Sequence, residues 1–127
     1  MPRVVRKSGP TLLEVRREVF HAASWQIRSN VWSPPTDEYE TDDAYLVRVE
    51  IAGMREDDFE VTLENNILII SGARIDLPER RAYHQMEIHF GKFATAISVP
   101  GPVDLEQAKA EYRDGFLTVV LPKAKSQ

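Results

Sequence analysis

The sequence predicts an all-β sandwich with one amphipathic helix outside it. Three observations predict this. Short segments alternate apolar and polar residues with the period of a half-buried strand. Asn, Asp, Gly and Pro fall between those segments, where turns are needed. The one stretch with helical periodicity lies ahead of them, before residue 31. The clearest unit is a hairpin over residues 108–123. Ala108, Ala110 and Tyr112 alternate with Lys109, Glu111 and Arg113. Asp114-Gly115 tolerates positive φ and predicts a tight type I′ turn. Leu117, Val119 and Leu121 then alternate again, and Pro122 stops the ladder because it has no N–H to donate. Two small inward residues on one strand leave room above them, the first sign of a docking groove.

The 127 residues predict one domain, whose folding removes roughly two-thirds of the unfolded chain's surface from water. Without cysteine there is no disulfide framework and no thiolate metal site. A net charge of −4 argues against a nucleic-acid partner, which needs clustered Lys and Arg. No apolar run approaches the roughly 20 residues of a membrane span. The basic N-terminus is followed by Glu14, Arg16, Arg17 and Glu18, so it is no secretory signal, and the cytoplasm is the expected compartment.

Residues 1–10 are basic and read as loose. Thr11 and Glu14 have capping-box spacing. Leu12, Val15, Val19 and Ala22 recur at helical spacing, with Leu13 and Phe20 widening the stripe. That face packs either on its own domain or on other chains. Trp25 and Trp32 anchor the way into the domain, and Pro34-Pro35 makes an extended boundary. Asp37, Glu38, Glu40, Asp42 and Asp43 lack the spacing of a calcium loop and read as a solvated edge strand and turn. Tyr45, Val47, Val49 and Ile51 form the next strand, ended by Gly53; residues 55–58 form a helical turn. Phe59, Val61 and Leu63 alternate with Glu60, Thr62 and Glu64. Asn65-Asn66 is a two-residue hairpin turn. Ile67 to Ile70 is apolar on both faces, so this strand is central or has a covered outer face. A polar excursion over residues 73–85 follows, long enough to carry function. Residues 87–99 read as the longest strand, with a bulge or bend at Gly91 that flips the later side chains. Pro100-Gly101-Pro102 ends it, and residues 103–107 lead to the hairpin.

Chemistry is sparse. His21, His84 and His89 are the histidines, and no serine sits in a strained Gly-x-Ser-x-Gly turn. On an unbroken strand His84 and His89 face opposite sides, which argues against a metal site. Gly-rich phosphate loops are absent, so no ATP and no other cofactor is expected. What remains is apolar surface: the helix stripe, the outward Ile67 and Ile69, and the space over Ala108 and Ala110. A non-catalytic binder of proteins fits that inventory.

Several motifs then fall in one order: Trp32-Ser-Pro-Pro35, Val49-Glu-Ile-Ala-Gly53, Leu68-Ile-Ile-Ser-Gly-Ala-Arg74, Tyr83-His-Gln-Met-Glu87, Gly91-Lys-Phe93, Ala110-Glu-Tyr-Arg-Asp-Gly-Phe-Leu117 and Leu121-Pro-Lys123. Over residues 32–123 the chain resembles the α-crystallin domain of the small heat-shock proteins. The resemblance implies an immunoglobulin-like sandwich at 32–123, an N-terminal arm at 1–31 and a short extension at 124–127. It implies an ATP-independent holdase that keeps unfolding proteins from aggregating, with the client-binding arm Leu12, Val15, Val19 and Phe20. It also implies a homodimer in which the 73–85 loop adds a strand to the partner's sheet, with Arg74, Arg80, Tyr83 and Glu87 as dimer contacts. The groove for a C-terminal tail then lies between Phe59, Val61 and Leu63 on one strand and Ala108, Ala110 and Tyr112 on the other. Three departures stand out: Ala52 where the family has proline, Thr95 where it has arginine, and no Ile-x-Ile motif in residues 124–127. The expectation is therefore a dimer or a smaller, N-terminus-driven assembly. The second reading is a p23-like co-chaperone with one partner, and the third a sandwich enzyme or sugar binder.

Overall fold

A computed structural model of the chain describes residues 4–6, 31–79 and 81–125. Among the described residues, eight strands form two four-stranded sheets. The strands are β1 (Val4–Arg6), β2 (Thr36–Glu40), β3 (Ala44–Glu50), β4 (Phe59–Glu64), β5 (Ile67–Arg74), β6 (Gly91–Ser98), β7 (Lys109–Arg113) and β8 (Phe116–Pro122). One sheet runs β1-β4-β5-β6 and the other β2-β3-β8-β7. All pairings are antiparallel except β1 with β4. One-turn 3-10 segments, Glu56–Asp58 and Leu105–Gln107, connect the sheets.

Alternation explains the core. Val47, Val49, Ala110, Leu117, Val119 and Leu121 from one sheet meet Val61, Leu63, Leu68, Ile70, Phe93 and Ile97 from the other. Each large aliphatic buried here contributes about 1.5–3 kcal/mol relative to exposure. The turns take the conformations their residues favour: Asn65 and Asn66 at φ 50° and 59°, Asp114 and Gly115 at 53° and 84°. Residues 37–43 form the exposed edge strand β2 and its turn, and residues 55–58 the helical turn.

Four expectations change. Residues 4–6, read as loose, form a strand along β4. The strand read over 87–99 is β6 alone. It starts at Gly91, whose φ is 93°, and β5 ends at its partner Arg74, so residues 87–90 have no neighbouring strand. Gly91 is thus a strand start and not a bulge, and the excursion spans 75–90 instead of 73–85. The outer face of the β4-β5 pair is not free surface: Thr62, Glu64 and Ile69 are buried and Ile67 is half-buried. The amphipathic helix read over 11–22, with Leu12, Val15, Val19 and Phe20, lies outside the described residues, as does Trp25.

Candidate functional site

Residues 75–90 hold the exposed apolar side chains Ile75, Leu77, Met86, Ile88 and Phe90, and every described residue from 81 to 90 is exposed. The ends of this excursion are tied together. Arg74, the last residue of β5, donates from Nε to the His89 carbonyl at 2.9 Å and from Nη1 to the Ala52 carbonyl at 3.3 Å; Nη2 also donates to His89. Its guanidinium lies 4.7 Å from the Trp32 ring centroid and 5.2 Å from that of Phe90. Trp32 in turn stacks on His89 at 5.3 Å, donates from its indole to the Gly91 carbonyl at 3.3 Å, and forms backbone hydrogen bonds with Lys92 and Ala94. Arginine suits this place because its planar group stacks and hydrogen-bonds at once.

A second knot orders the excursion itself. Arg81 reaches both oxygens of Asp76 at 3.2 and 3.4 Å, the Tyr83 hydroxyl at 2.9 Å and the Leu77 carbonyl at 3.3 Å. Tyr83 donates its proton to Asp76 at 3.2 Å. Desolvation pulls the Arg81 pKa down, but the charge of Asp76 and the contacts with Tyr83 outweigh it and raise the value.

Strand β2 leaves one edge open among the described residues, since it pairs only with β3. That edge is acidic, with Asp37, Glu38 and Glu40 exposed. Slight burial and the neighbouring Glu40 raise the pKa of Glu38. Lys123 hydrogen-bonds Glu40 at 2.7 Å, which raises the lysine's pKa.

The residues named for the groove belong to the core or border it. Phe59, Val61, Leu63 and Ala110 are buried, while Ala108 and Tyr112 are partly buried against them. The Tyr112 ring sits 5.1 Å from Phe59, and its hydroxyl donates to the Ile51 carbonyl at 2.8 Å. Val4–Arg6 runs along the β4 edge, in register with Val61–Leu63. An edge strand with apolar inward residues needs a cover, and the chain supplies one.

Of the residues named as dimer contacts, Arg74 acts within its own chain and Tyr83 belongs to the Asp76–Arg81 knot. Glu87 is exposed and accepts from the Gln85 amide, and Arg80 lies outside the described residues. Sequence reasoning missed Phe90 and His89 as partners of Trp32 and Arg74. The parity slip at Gly91, which fits a bulge or bend on sequence alone, is the signal that marks them. Thr95 bonds Thr36 at 3.3 Å, hydroxyl to hydroxyl. Among the described residues no cluster of His, Cys, Asp or Glu could hold a metal, and no helix is long and apolar enough to cross a membrane.

This sandwich can be set beside known proteins. The Hsp20/alpha crystallin family model matches residues 37–127. The chain belongs to the Hsp20/alpha crystallin family. It is 34% identical over 97 residues to small heat shock protein C4 of Rickettsia felis, covering 75% of this chain and 60% of that one. It is 38% identical over 93 residues to the 17.7 kDa class II heat shock protein of Arabidopsis thaliana, covering 70% and 60%. The chain thus spans 60% of the length of these two relatives. Heat shock protein 16.0 from Schizosaccharomyces pombe superposes with a TM-score of 0.65 at 31% identity, covering 75% of this chain and 94% of that one. HSP18.5 from E. histolytica gives 0.66 at 27%, covering 76% and 93%.

Proposed function

We propose that this protein is an ATP-independent holdase chaperone of the cytoplasm, binding unfolding proteins and preventing their aggregation. Family membership is the observation that carries the reading. Its physical basis is apolar contact, which is non-directional and therefore tolerant of many clients, at about 25 cal/mol per Å2 buried. The arm at residues 1–31, with Leu12, Val15, Val19 and Phe20, supplies client surface. The sandwich at 32–123 supplies the rigid frame. The protein suppresses light scattering of a heated client with no nucleotide present, and deleting residues 1–31 removes most of that effect. Unchanged client scattering with the intact chain overturns the reading. A pull-down that returns one stoichiometric partner instead of a heat-dependent mixture favours a co-chaperone.

The working unit in this proposal is a homodimer made by strand exchange. The exposed apolar side chains on residues 75–90 favour a covered state over a solvated one. The open β2 edge of a second copy offers main-chain partners, and its acidic residues complement Arg81 and Lys92. Leu77→Asp together with Ile88→Asp places charge in that contact. Size exclusion with light scattering then reads a monomer; an unchanged mass rules the exchange out.

A further inference from the structure

We propose that Asp76, Arg81 and Tyr83 are positioning residues for the contact between two copies: their knot holds residues 75–90 in a path that a second copy can pair with, and so sets how tightly the copies associate. The inference rests on the homodimer proposed above and names what governs its affinity. Among the described residues, every partner in the knot lies between residues 76 and 83. Besides its bonds to Arg81 and Tyr83, Asp76 accepts the Leu77 N–H at 2.8 Å. Arg81 also places Nε 3.2 Å from the Glu79 carboxylate and its guanidinium 5.8 Å from the Tyr83 ring centroid. The side chains of Asp76 and Arg81 are 30% and 29% exposed, although their neighbours in sequence stand in water. Lone surface ion pairs contribute little, but a network built on a two-point arginine–carboxylate contact is the exception. None of these bonds reaches either sheet, so the network orders the excursion and not the sandwich.

The knot leaves a short run between two fixed points. One is Tyr83, and the other is His89, whose carbonyl accepts from Arg74. Between them, among the described residues, 84–88 make no backbone hydrogen bond and carry the exposed Met86 and Ile88. Without the knot the unrestrained run is 75–88. A longer run has more conformations to lose when it pairs, and restraint before binding raises affinity by removing that cost. Charge works in the opposite direction. In the homodimer the excursion meets the β2 edge, which carries Asp37, Glu38 and Glu40, so deleting the Asp76 charge lowers repulsion between copies. Charge alone therefore predicts a tighter dimer from Asp76→Ala, and the knot predicts a weaker one. Restraint outweighs charge here, because salt screens exposed charges and does not loosen a braced backbone.

The test is the dimer dissociation constant in physiological salt, read by sedimentation equilibrium of full-length chains. Asp76→Ala and Tyr83→Phe each raise it at least about tenfold, the second without changing net charge. Arg81→Lys keeps the charge but not the planar fork, and it also raises the constant. In the Leu77→Asp/Ile88→Asp background, where no dimer adds to stability, Asp76→Ala and Tyr83→Phe leave the thermal midpoint of the sandwich unchanged. If Asp76→Ala leaves the dimer as tight or tighter, charge governs the contact and the proposal fails. If Arg81→Lys matches the parent chain, charge suffices without the fork and the proposal fails. A midpoint that falls in the monomeric background shows the knot supporting the sandwich itself, which also overturns it. A parent chain that is monomeric at every concentration overturns the homodimer and this inference together; a dimeric parent with unweakened variants overturns the role of the knot alone.

Discussion

Replacing Glu64 tests the reading of the outer sheet face most severely, because it predicts that removing a charge strengthens the fold. Glu64 is 1% exposed, and neither carboxylate oxygen has a hydrogen-bond partner. It lies directly opposite Ile67, on the outward side of a strand pair where Thr62 and Ile69 are also buried. An unsatisfied buried polar group costs about 1–3 kcal/mol, and a charged one more. Exchanging buried ionic groups for apolar ones of similar volume is often stabilising by about 1–4 kcal/mol. Glu64→Leu removes both oxygens and keeps the volume, so the expected gain is about 2 kcal/mol. Glu64→Gln removes the charge but leaves an amide to satisfy, so it gains less. Urea unfolding followed by fluorescence at fixed protein concentration measures this. With a slope of about 2 kcal/mol per M, the midpoint rises by about 1 M in Glu64→Leu. A midpoint that falls, or does not move, shows that the carboxylate has a partner in solution, and the reasoning from its burial is then refuted.

Three further outcomes follow from named contacts. Arg74→Ala frees the ends of the excursion by removing its carbonyl hydrogen bonds and its stacking on Trp32 and Phe90, worth about 2–3 kcal/mol locally, and Arg74→Lys recovers only part; amide exchange at Trp32 and Ala94, whose backbone hydrogen bonds lie beside the clasp, rises by about 30-fold or more, and unaltered exchange contradicts the clasp. A Cβ at Gly72 meets the Asp58 carbonyl oxygen at 2.6 Å and Phe93 at 2.8 Å, so Gly72→Ala costs about 1–3 kcal/mol by thermal melting, whereas a tolerated alanine means the two sheet ends are looser than described. Tyr112→Phe leaves the Ile51 carbonyl and the Met54 amide without their hydroxyl partner, at 2.8 and 3.3 Å, and lowers stability by about 1–2 kcal/mol in urea; a neutral result means water replaces the hydroxyl.

The strands were legible where one face is buried and the other wet. Val47, Val49 and Ile51, or Leu117, Val119 and Leu121, announce themselves because water sorts alternate residues. The turns at Asn65-Asn66 and Asp114-Gly115 were legible because few residues tolerate positive φ. Glu64 was not legible: its acidic side chain reads as solvated, and only the assembled sheet shows it buried.

The same limit applies to contacts between distant residues. Arg74 reads as a surface charge beside a loop, and its role depends on Trp32, Ala52 and His89 meeting it in space. Likewise, Val4–Arg6 carries too short a pattern to declare a strand, and only the free edge of β4 makes it one. Local chemistry thus determined the two-layer β architecture and its turns, since periodicity and φ preference act over a few residues. Which edge is covered, which charge is buried and which loop is clasped were decided by tertiary structure, because those outcomes depend on surfaces that do not exist until both sheets have met.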